Sequence, residues 1–184
     1  MPITLNGSGS VTGFTALPDS AMASGSIIQI VEAVKTDTTS TTTSTFNAIT
    51  GLQPQITPSS TSNKVLININ LKIGFSNQNN DISLRLYRSI GGTETEIFAG
   101  TSVGSRNPCF FGVQDFNFSG IHTMMPVASH YLDSPNTTSQ ITYLVKWHIQ
   151  RGSSTNYLNR SGQDDNDVNY HRTSSSITLM EVAA

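Results

Sequence analysis

The residue types of a hydrolase active site occur along this chain in a plausible order. Ser102 lies in a G-x-S-x-G run at positions 100–104, and Asp115 and His148 follow it. A nucleophile elbow places such a serine on a strained turn between a strand and a helix. Here Ser-Arg-Asn-Pro and then aromatic residues follow the run, so no helix is expected. We therefore interpret the run as a chance match in a chain rich in glycine and serine, and predict no catalytic residue.

The histidines are the first candidates for metal ligands. His122 and His130 have the same strand parity, but eight residues of strand separate them by about 26 Å, too far to share an ion. His148 or His171 could still meet one of them across strands. We expect solvated histidines on a sheet face, with a histidine cluster on a threefold axis as the alternative.

Two groups of carboxylates are the remaining chemical candidates. Residues 164–167 (DDND) offer the oxygen ligands that Ca²⁺ prefers, but without the glycine and distal glutamate of an EF-hand. Glu94 and Glu96 project to one side of a hairpin, as a glycosidase pair would. We interpret the first group as a polar loop, with an ion site left open, and the second as exposed hairpin charge. No metal, cofactor or enzymatic activity is predicted, and a small carbohydrate-active enzyme is the remote alternative.

A segment rich in phenylalanine is more informative than any of these groups. It would place apolar side chains on both faces of an extended chain between positions 109 and 118, whereas a monomeric sandwich keeps one face wet. The surplus favours a subunit interface or a stacking surface for sugars. The candidate interface residues are Phe110, Phe111, Phe116, Phe118 and Met124.

Two long strands must position all of these residues. Residues 64–74 (KVLININLKIG) place five aliphatic side chains on one parity and mostly polar ones on the other, and residues 140–150 repeat the pattern. Burying five such side chains contributes on the order of 10 kcal/mol, which fixes the register. Two such strands far apart in sequence predict a β-sandwich or barrel.

The rest of the chain reads as further short strands. Apolar residues fall on both parities of residues 27–34, which predicts a strand covered on both faces, as at a subunit contact. Residues 36–45 read as a loop, and Gly91-Gly92 as a two-residue hairpin turn. With about eight to ten strands and no amphipathic helix, we predict an all-β, antiparallel sandwich of jelly-roll type over residues 26–184.

Composition limits the partners. The chain has 184 residues, 12% of them charged, and a formal net charge of −2. Nucleic-acid binding needs a basic surface, so it is not expected. Cys109 is the only cysteine, and neither a membrane-spanning run nor a signal peptide is seen. We expect a protein folded in a cytoplasm without disulfides.

Residues 1–25 form a separate segment rich in Gly, Ser and Thr, with isolated apolar residues. It is either a floppy terminus or an arm that adds a strand to a neighbouring sheet. The candidate anchor residues of such an arm are Ile3, Leu5, Val11 and Phe14.

Four stretches of the chain together resemble a known group of proteins. These are the opening ITLNGSGSVTGF and residues 56–66, 131–143 and 156–184. They resemble small tail-fibre-like or capsid-decoration structural proteins of tailed phages that infect cyanobacteria and other aquatic bacteria. The resemblance implies a β-sandwich virion protein that forms a homotrimer, and it carries no catalytic residues.

Two functions follow from this resemblance. The first is a capsid decoration (cement) protein or head spike whose arm binds the major capsid protein or a tail adaptor protein. It is favoured because the chain has no coiled-coil, β-helix or collagen-like shaft to project a tip. The second is a tail-fibre or receptor-binding tip that reads host glycans with Tyr87, Tyr143, Trp147 or loop Asn and Asp residues, although the parity of Trp147 predicts a core position.

Overall fold

The protein is built from β-strands. The computed structural model describes residues 21–77, 80–114, 121–150 and 154–184, and no α-helix occurs in these ranges. The strands are β1 (Ile27–Lys35), β2 (Thr39–Thr41), β3 (Asn47–Ala48), β4 (Gln55–Ile56), β5 (Lys64–Phe75), β6 (Asp81–Ile90), β7 (Thr93–Phe98), β8 (Phe111–Gln114), β9 (Met124–Asp133), β10 (Ile141–His148), β11 (Asn156–Leu158) and β12 (Ser175–Val182).

The strands form two six-stranded sheets in which each described pairing is antiparallel. In sheet A, β12 lies between β1 and β5, and β9 pairs with the other edge of β5. Past the end of β12, the same edge of β5 pairs with β11, and β11 in turn pairs with β2. In sheet B, β10 lies between β6 and the short strands β3 and β4, and β7 and β8 pair with the other edge of β6.

The pairings are nested in the manner of a long hairpin that has been rolled up. The first strand pairs with the last (β1 with β12), β3 and β4 pair with β10, β5 pairs with β9, and β6 pairs with β7. Distribution of such nested pairs over two packed sheets is the jelly-roll arrangement. The predicted all-β sandwich of jelly-roll type is therefore confirmed.

The core lies between the sheets and is filled by the parity that the sequence predicted. On β5 the inward residues are 0–2% exposed: Val65, Ile67, Ile69, Leu71 and Ile73. On β10 the inward residues are 0–1% exposed: Ile141, Tyr143, Val145 and Trp147. Because both strands lie at the centre of their sheets, their apolar faces meet and exclude water.

One local prediction differs from the structure. Residues 36–45 contain strand β2 as well as loop, because the buried Asn159 side chain donates hydrogen bonds to the carbonyls of Lys35 (2.8 Å) and Asp37 (2.9 Å) and holds this stretch against β11. The described residues cover strand β1 on one face, and its outward residues Ile30 and Val34 are 60% and 54% exposed. A subunit contact on that outward face stays a prediction.

The hairpin prediction is confirmed. Gly91 and Gly92 have φ values of +57° and +84°, the left-handed backbone that a two-residue turn between twisted strands needs.

As for membranes, the described ranges hold no helix with the length and hydrophobicity needed to cross one.

Candidate functional site

The hydrolase-like residues do not form the nucleophile elbow that a catalytic serine needs. Ser102 is exposed in the loop between β7 and β8, where no helix follows it. Asp115 lies outside the described residues. His148 is 6% exposed, and its ring stacks on Phe46 with 4.7 Å between centroids. The strained strand-to-helix turn that would present a nucleophilic serine is therefore missing from this loop.

The expectation of solvated histidines is wrong for His148. Burial lowers the pKa of its imidazole, and the nearby Arg85 guanidinium lowers it further against the opposing effects of Asp81 and the Ser44 carbonyl. Its Nδ1 atom has no hydrogen-bond partner among the described residues. The ring is therefore a neutral, packed group. The other three histidines (His122, His130 and His171) are exposed as expected.

The acidic groups are engaged in ion pairs and local hydrogen bonds. Asp164 lies 2.6 Å from Arg172 and 3.7 Å from Arg160, and Asp167 accepts hydrogen bonds from the backbone and side chain of Asn169. In the part of the chain that the structure describes, no group of three or more His, Cys, Asp or Glu side chains is placed to hold a metal ion.

The two hairpin glutamates form a charge network on the outer face of sheet B. Glu96 accepts hydrogen bonds from Arg85 (2.9 Å) and from the Tyr87 hydroxyl (3.1 Å). Glu94 pairs with Lys146, whose ammonium lies 4.5 Å from the centre of the Tyr87 ring. Each glutamate is thus paired with its own cation, which is unlike the two cooperating carboxyl groups of a glycosidase.

The aromatic residues considered for glycan recognition are mostly internal. Tyr143 is 0% exposed and Trp147 1% exposed, so neither can stack on a sugar. Trp147 is in the core, as its parity predicted. Only Tyr87 remains half-exposed, and Lys146 already covers its ring.

The phenylalanine-rich segment is described in part. Phe110 stacks on Phe98 at 5.4 Å between centroids, and Phe98 stacks on Tyr131 of β9 at 4.9 Å, so this aromatic column joins the margins of the two sheets. Phe110 and Phe111 are half-buried against the core. Phe116 and Phe118 lie outside the described residues.

Met124 and the anchor residues complete the predicted set. Met124 is half-buried, and its sulfur lies 3.6 Å from the Thr173 hydroxyl. The candidate anchors lie outside the described residues: Ile3, Leu5, Val11 and Phe14. The interface and anchor assignments stay predictions.

A feature that the sequence did not reveal lies on the outer face of sheet A. Four apolar side chains form one row across the four neighbouring strands: Ile30 on β1, Met180 on β12, Leu66 on β5 and Leu132 on β9. We name this row the apolar stripe. Ile30 is 60% and Leu132 47% exposed, and the two side chains between them are half-buried. At about 4.8 Å between strands, the stripe is roughly 14 Å long.

The surroundings of the stripe differ on its two sides. Toward the middle of the sheet the next row is polar: Glu32, Thr178, Asn68 and His130. Toward the near end of the sheet lie Ile27, which is 50% exposed, and Val182. Apolar surface thus continues from the stripe to this end of sheet A. Just beyond it, the Gly25 amide donates to the Ala183 carbonyl over 2.9 Å.

The sequence held one signal of this surface, the apolar residues on both parities of β1. The other three members are isolated outward residues on strands far apart in the chain. Their alignment depends on the strand order and the register of three pairings, neither of which can be read from local spacing.

The structure can be compared with known proteins at the level of fold. Neither a family model nor a curated protein matches the chain. Among solved structures, a chain in the structure of the Gt strain of infectious bursal disease virus is similar, with a TM-score of 0.37 and 13% sequence identity. The similarity covers 85% of this chain and 38% of the viral chain. This chain therefore spans well under half of that neighbour.

Proposed function

We propose that this protein is a structural component displayed on the surface of a virus particle. In its favoured form it is a trimeric capsid decoration (cement) protein or head spike, anchored by its N-terminal arm. The observation that carries the proposal is the apolar stripe on the outer face of sheet A. A contiguous exposed apolar surface of this kind is typical of a subunit that works in an assembly.

The chemistry of the described residues supports a structural role over an enzymatic one. The candidate carboxylates are held in ion pairs, the candidate serine is in an open loop, and the central histidine is packed in a neutral state. Because a jelly roll hosts many activities, the fold alone does not select a function. The resemblance to small phage structural proteins adds the virion as the location.

The partner in this proposal is a major capsid protein or a tail adaptor protein. Ile3, Leu5, Val11 and Phe14 would enter apolar sites or pair with an exposed strand on that partner. The low charge of the chain, with a formal net value of −2, fits a contact made by apolar and backbone groups.

The alternative is a receptor-binding tip on a tail fibre. It is favoured by an open polar groove, lined among others by Asp81, Arg106, Asn107, Gln114 and Gln150. Amide, carboxylate and guanidinium groups of this kind can hydrogen-bond sugar hydroxyls. Glycan-array binding that is lost in the Gln114→Ala variant would support this alternative.

The deciding experiment tests binding of the full-length protein to virus particles that lack it. The variant changes the four anchor residues to Ser, and the matched control changes the neighbouring Thr4 and Thr12 to Ser. We expect wild type and control to sediment with particles and the anchor variant to remain free with its trimeric mass unchanged. A reconstruction of decorated particles would then locate the protein on head or tail. Decoration by the anchor variant at the wild-type level would overturn the role of the arm.

A further inference from the structure

We propose that the outer face of sheet A binds the same face of a second copy of this chain. The two copies are related by a twofold axis that runs parallel to the strands, between β12 and β5. On a virus particle this contact would join subunits of neighbouring trimers, and that setting rests on the proposed function. The contact itself concerns the protein alone.

The outer face of sheet A has the composition of an interface. It consists of the apolar stripe, the polar row beside it, and one further row at each side. Among the described outward side chains of these rows, the ionisable ones are Glu32, Lys64 and His130. Few charges around an exposed apolar centre are typical of the core of a protein interface.

The twofold axis lays the stripe of one copy on the stripe of the other. It places β1 of each copy on β9 of its partner and keeps every row at its own height. Ile30 then lies on the partner's Leu132, and Leu66 lies on the partner's Met180. Each contact occurs twice, as a contact between identical surfaces requires.

The polar row beside the stripe is complementary to itself about the same axis. Glu32 lies at its β1 end and His130 at its β9 end. The axis brings Glu32 to the partner's His130, whose ring N–H can donate to the carboxylate. Between them, the Thr178 hydroxyl meets the partner's Asn68 amide. Thr178 also donates a hydrogen bond to Glu32 within its own subunit over 3.1 Å, which orients the carboxylate.

A twofold axis perpendicular to the strands fits the charges less well. It would lay each strand on its own copy, so Glu32 would meet the partner's β1. The other outward residues of β1 are apolar, Ile30 and Val34 among them, and would leave this carboxylate buried without a partner. Burying an unpaired charge opposes association, so the charges favour the axis parallel to the strands.

Lys64 is compatible with the contact because of its position. It lies opposite Val182 in the row at the end of the sheet, and the proposed axis places it on the partner's Val182. The aliphatic stem of a lysine can cover such a side chain while its ammonium group stays in water at the margin. The lysine therefore adds apolar contact without burial of its charge.

The size of the face predicts a weak contact in solution. Four strands spaced about 4.8 Å apart, with about seven residues along each, give roughly 450 Å² per copy and about 900 Å² for the pair. Stable complexes bury roughly 1,200–2,000 Å². On a particle, subunits held side by side reach an effective concentration in the millimolar range, at which a weak contact becomes populated.

Charge exchange in the isolated full-length protein tests the contact. Sedimentation equilibrium at protein concentrations up to about 1 mM should show a mass that rises with concentration for wild type. Glu32→Lys and His130→Glu should each weaken this association about tenfold, because each removes two symmetry-related contacts. Asp165→Lys, which changes the net charge as much as Glu32→Lys on an exposed loop, should associate like wild type.

Restoring the pair identifies the axis. An equimolar mixture of the Glu32→Lys and His130→Glu variants should associate at the wild-type level, because the new lysine of one copy meets the new glutamate of the other. The variant that carries both changes should recover in the same way. Within one subunit the two positions lie about 14 Å apart, across three strand spacings, so the recovery cannot come from a pair inside one chain.

Three results would overturn the proposal. A wild-type mass that does not change with concentration would leave the stripe to a different partner. Weakening by Asp165→Lys equal to that by Glu32→Lys would mean that net charge alone controls association. Absence of recovery in the mixture would reject the pairing of β1 with the partner's β9. Because no virus particle is involved, each of these results leaves particle binding standing, and failure of particle binding leaves this contact standing.

Discussion

The Tyr143 hydroxyl donates a hydrogen bond to the Asp133 carboxylate over 2.8 Å and thereby joins the two sheets. Tyr143 belongs to β10 of sheet B, and Asp133 ends β9 of sheet A. Arg88 of β6 donates to both carboxylate oxygens, each at 2.9 Å. Burial, followed by the charge of Asp133, raises the pKa of Tyr143 far above its ordinary value, so the hydroxyl keeps its proton and remains a donor.

Removing this hydroxyl should weaken the sandwich. We expect Tyr143→Phe to lower the free energy of unfolding by about 1–3 kcal/mol, the range for a buried hydrogen bond to a charged group. Urea denaturation followed by Trp147 fluorescence measures the change. The control is Tyr87→Phe, which removes a hydroxyl bound to a carboxylate at a more exposed site. Equal losses of unfolding free energy in the two variants would mean that the hydrogen bond between the sheets stabilises the fold no more than the exposed one does.

The buried Glu181 should make the fold sensitive to acid. This side chain is 0% exposed and accepts hydrogen bonds from Asn63 Nδ2 and from the amide and hydroxyl of Ser59, each at 2.7 Å. Burial alone would raise the pKa of Glu181, but its donors, which include Gln29, outweigh burial and hold the pKa below the ordinary value of 4.5.

The sign of the pH dependence follows from that shift. The unfolded chain binds a proton at Glu181 more readily than the folded chain, so the stabilisation is fully present above pH 4.5 and is lost as the pH falls through the folded pKa. Urea midpoints measured from pH 7 to pH 3 should fall less steeply in Glu181→Gln than in wild type. Glu32→Gln, at an exposed site, should follow the wild-type curve.

His148 should cause a second loss of stability as the pH falls, and this loss should begin at a higher pH than the one caused by Glu181. Its pKa is lowered from 6.5 in the fold, chiefly by burial, so the unfolded chain takes up the proton first as the pH falls. The stabilisation is present above pH 6.5 and declines below it. His148→Phe keeps a ring to stack on Phe46 and should remove this step, whereas His130→Gln should retain it. Titration of the imidazole by NMR provides the direct check, and a midpoint at or above 6.5 would refute the assignment.

The close approach of a loop to β5 predicts that position 74 is also sensitive to substitution. A Cβ atom placed on Gly74 would lie 2.0 Å from the Arg160 carbonyl oxygen and 2.9 Å from the Ser161 Cα atom, both backbone atoms that cannot rotate away. We expect Gly74→Ala to cost about 1–3 kcal/mol of folding free energy, as overpacking does. Gly100→Ala, whose new Cβ would meet its nearest neighbour at an ordinary 3.5 Å, should be close to neutral by thermal unfolding.

Strand parity explains why the sequence predicts the fold well. Alternation along residues 64–74 and 140–150 assigns the inward residues of β5 and β10 correctly, because each of these strands has one apolar face and a period of two. The glycine pair at positions 91 and 92 marks a turn for an equally local reason. Such features depend only on residues that are neighbours in sequence.

The candidate site depends on contacts between distant residues, and local spacing does not encode them. His148 is buried because Phe46, about a hundred residues earlier, stacks on it. Strand β2 forms because the Asn159 amide binds the carbonyls of residues 35 and 37. The apolar stripe needs four strands in register, so its members read in the sequence as unremarkable outward residues.

The pairing of β1 with β12 also has a consequence for how this protein is made. Ile27 pairs with Val182, and Lys35 pairs with Ser175, so β1 cannot pair with β12 until about 140 further residues have been translated. At about 5–20 residues per second, this wait lasts roughly 7–30 s on the ribosome. During that time the aliphatic residues of β1 can contact other nascent chains. Slow translation or a shortage of chaperones should therefore reduce the soluble yield even when the stability of the folded protein is unchanged.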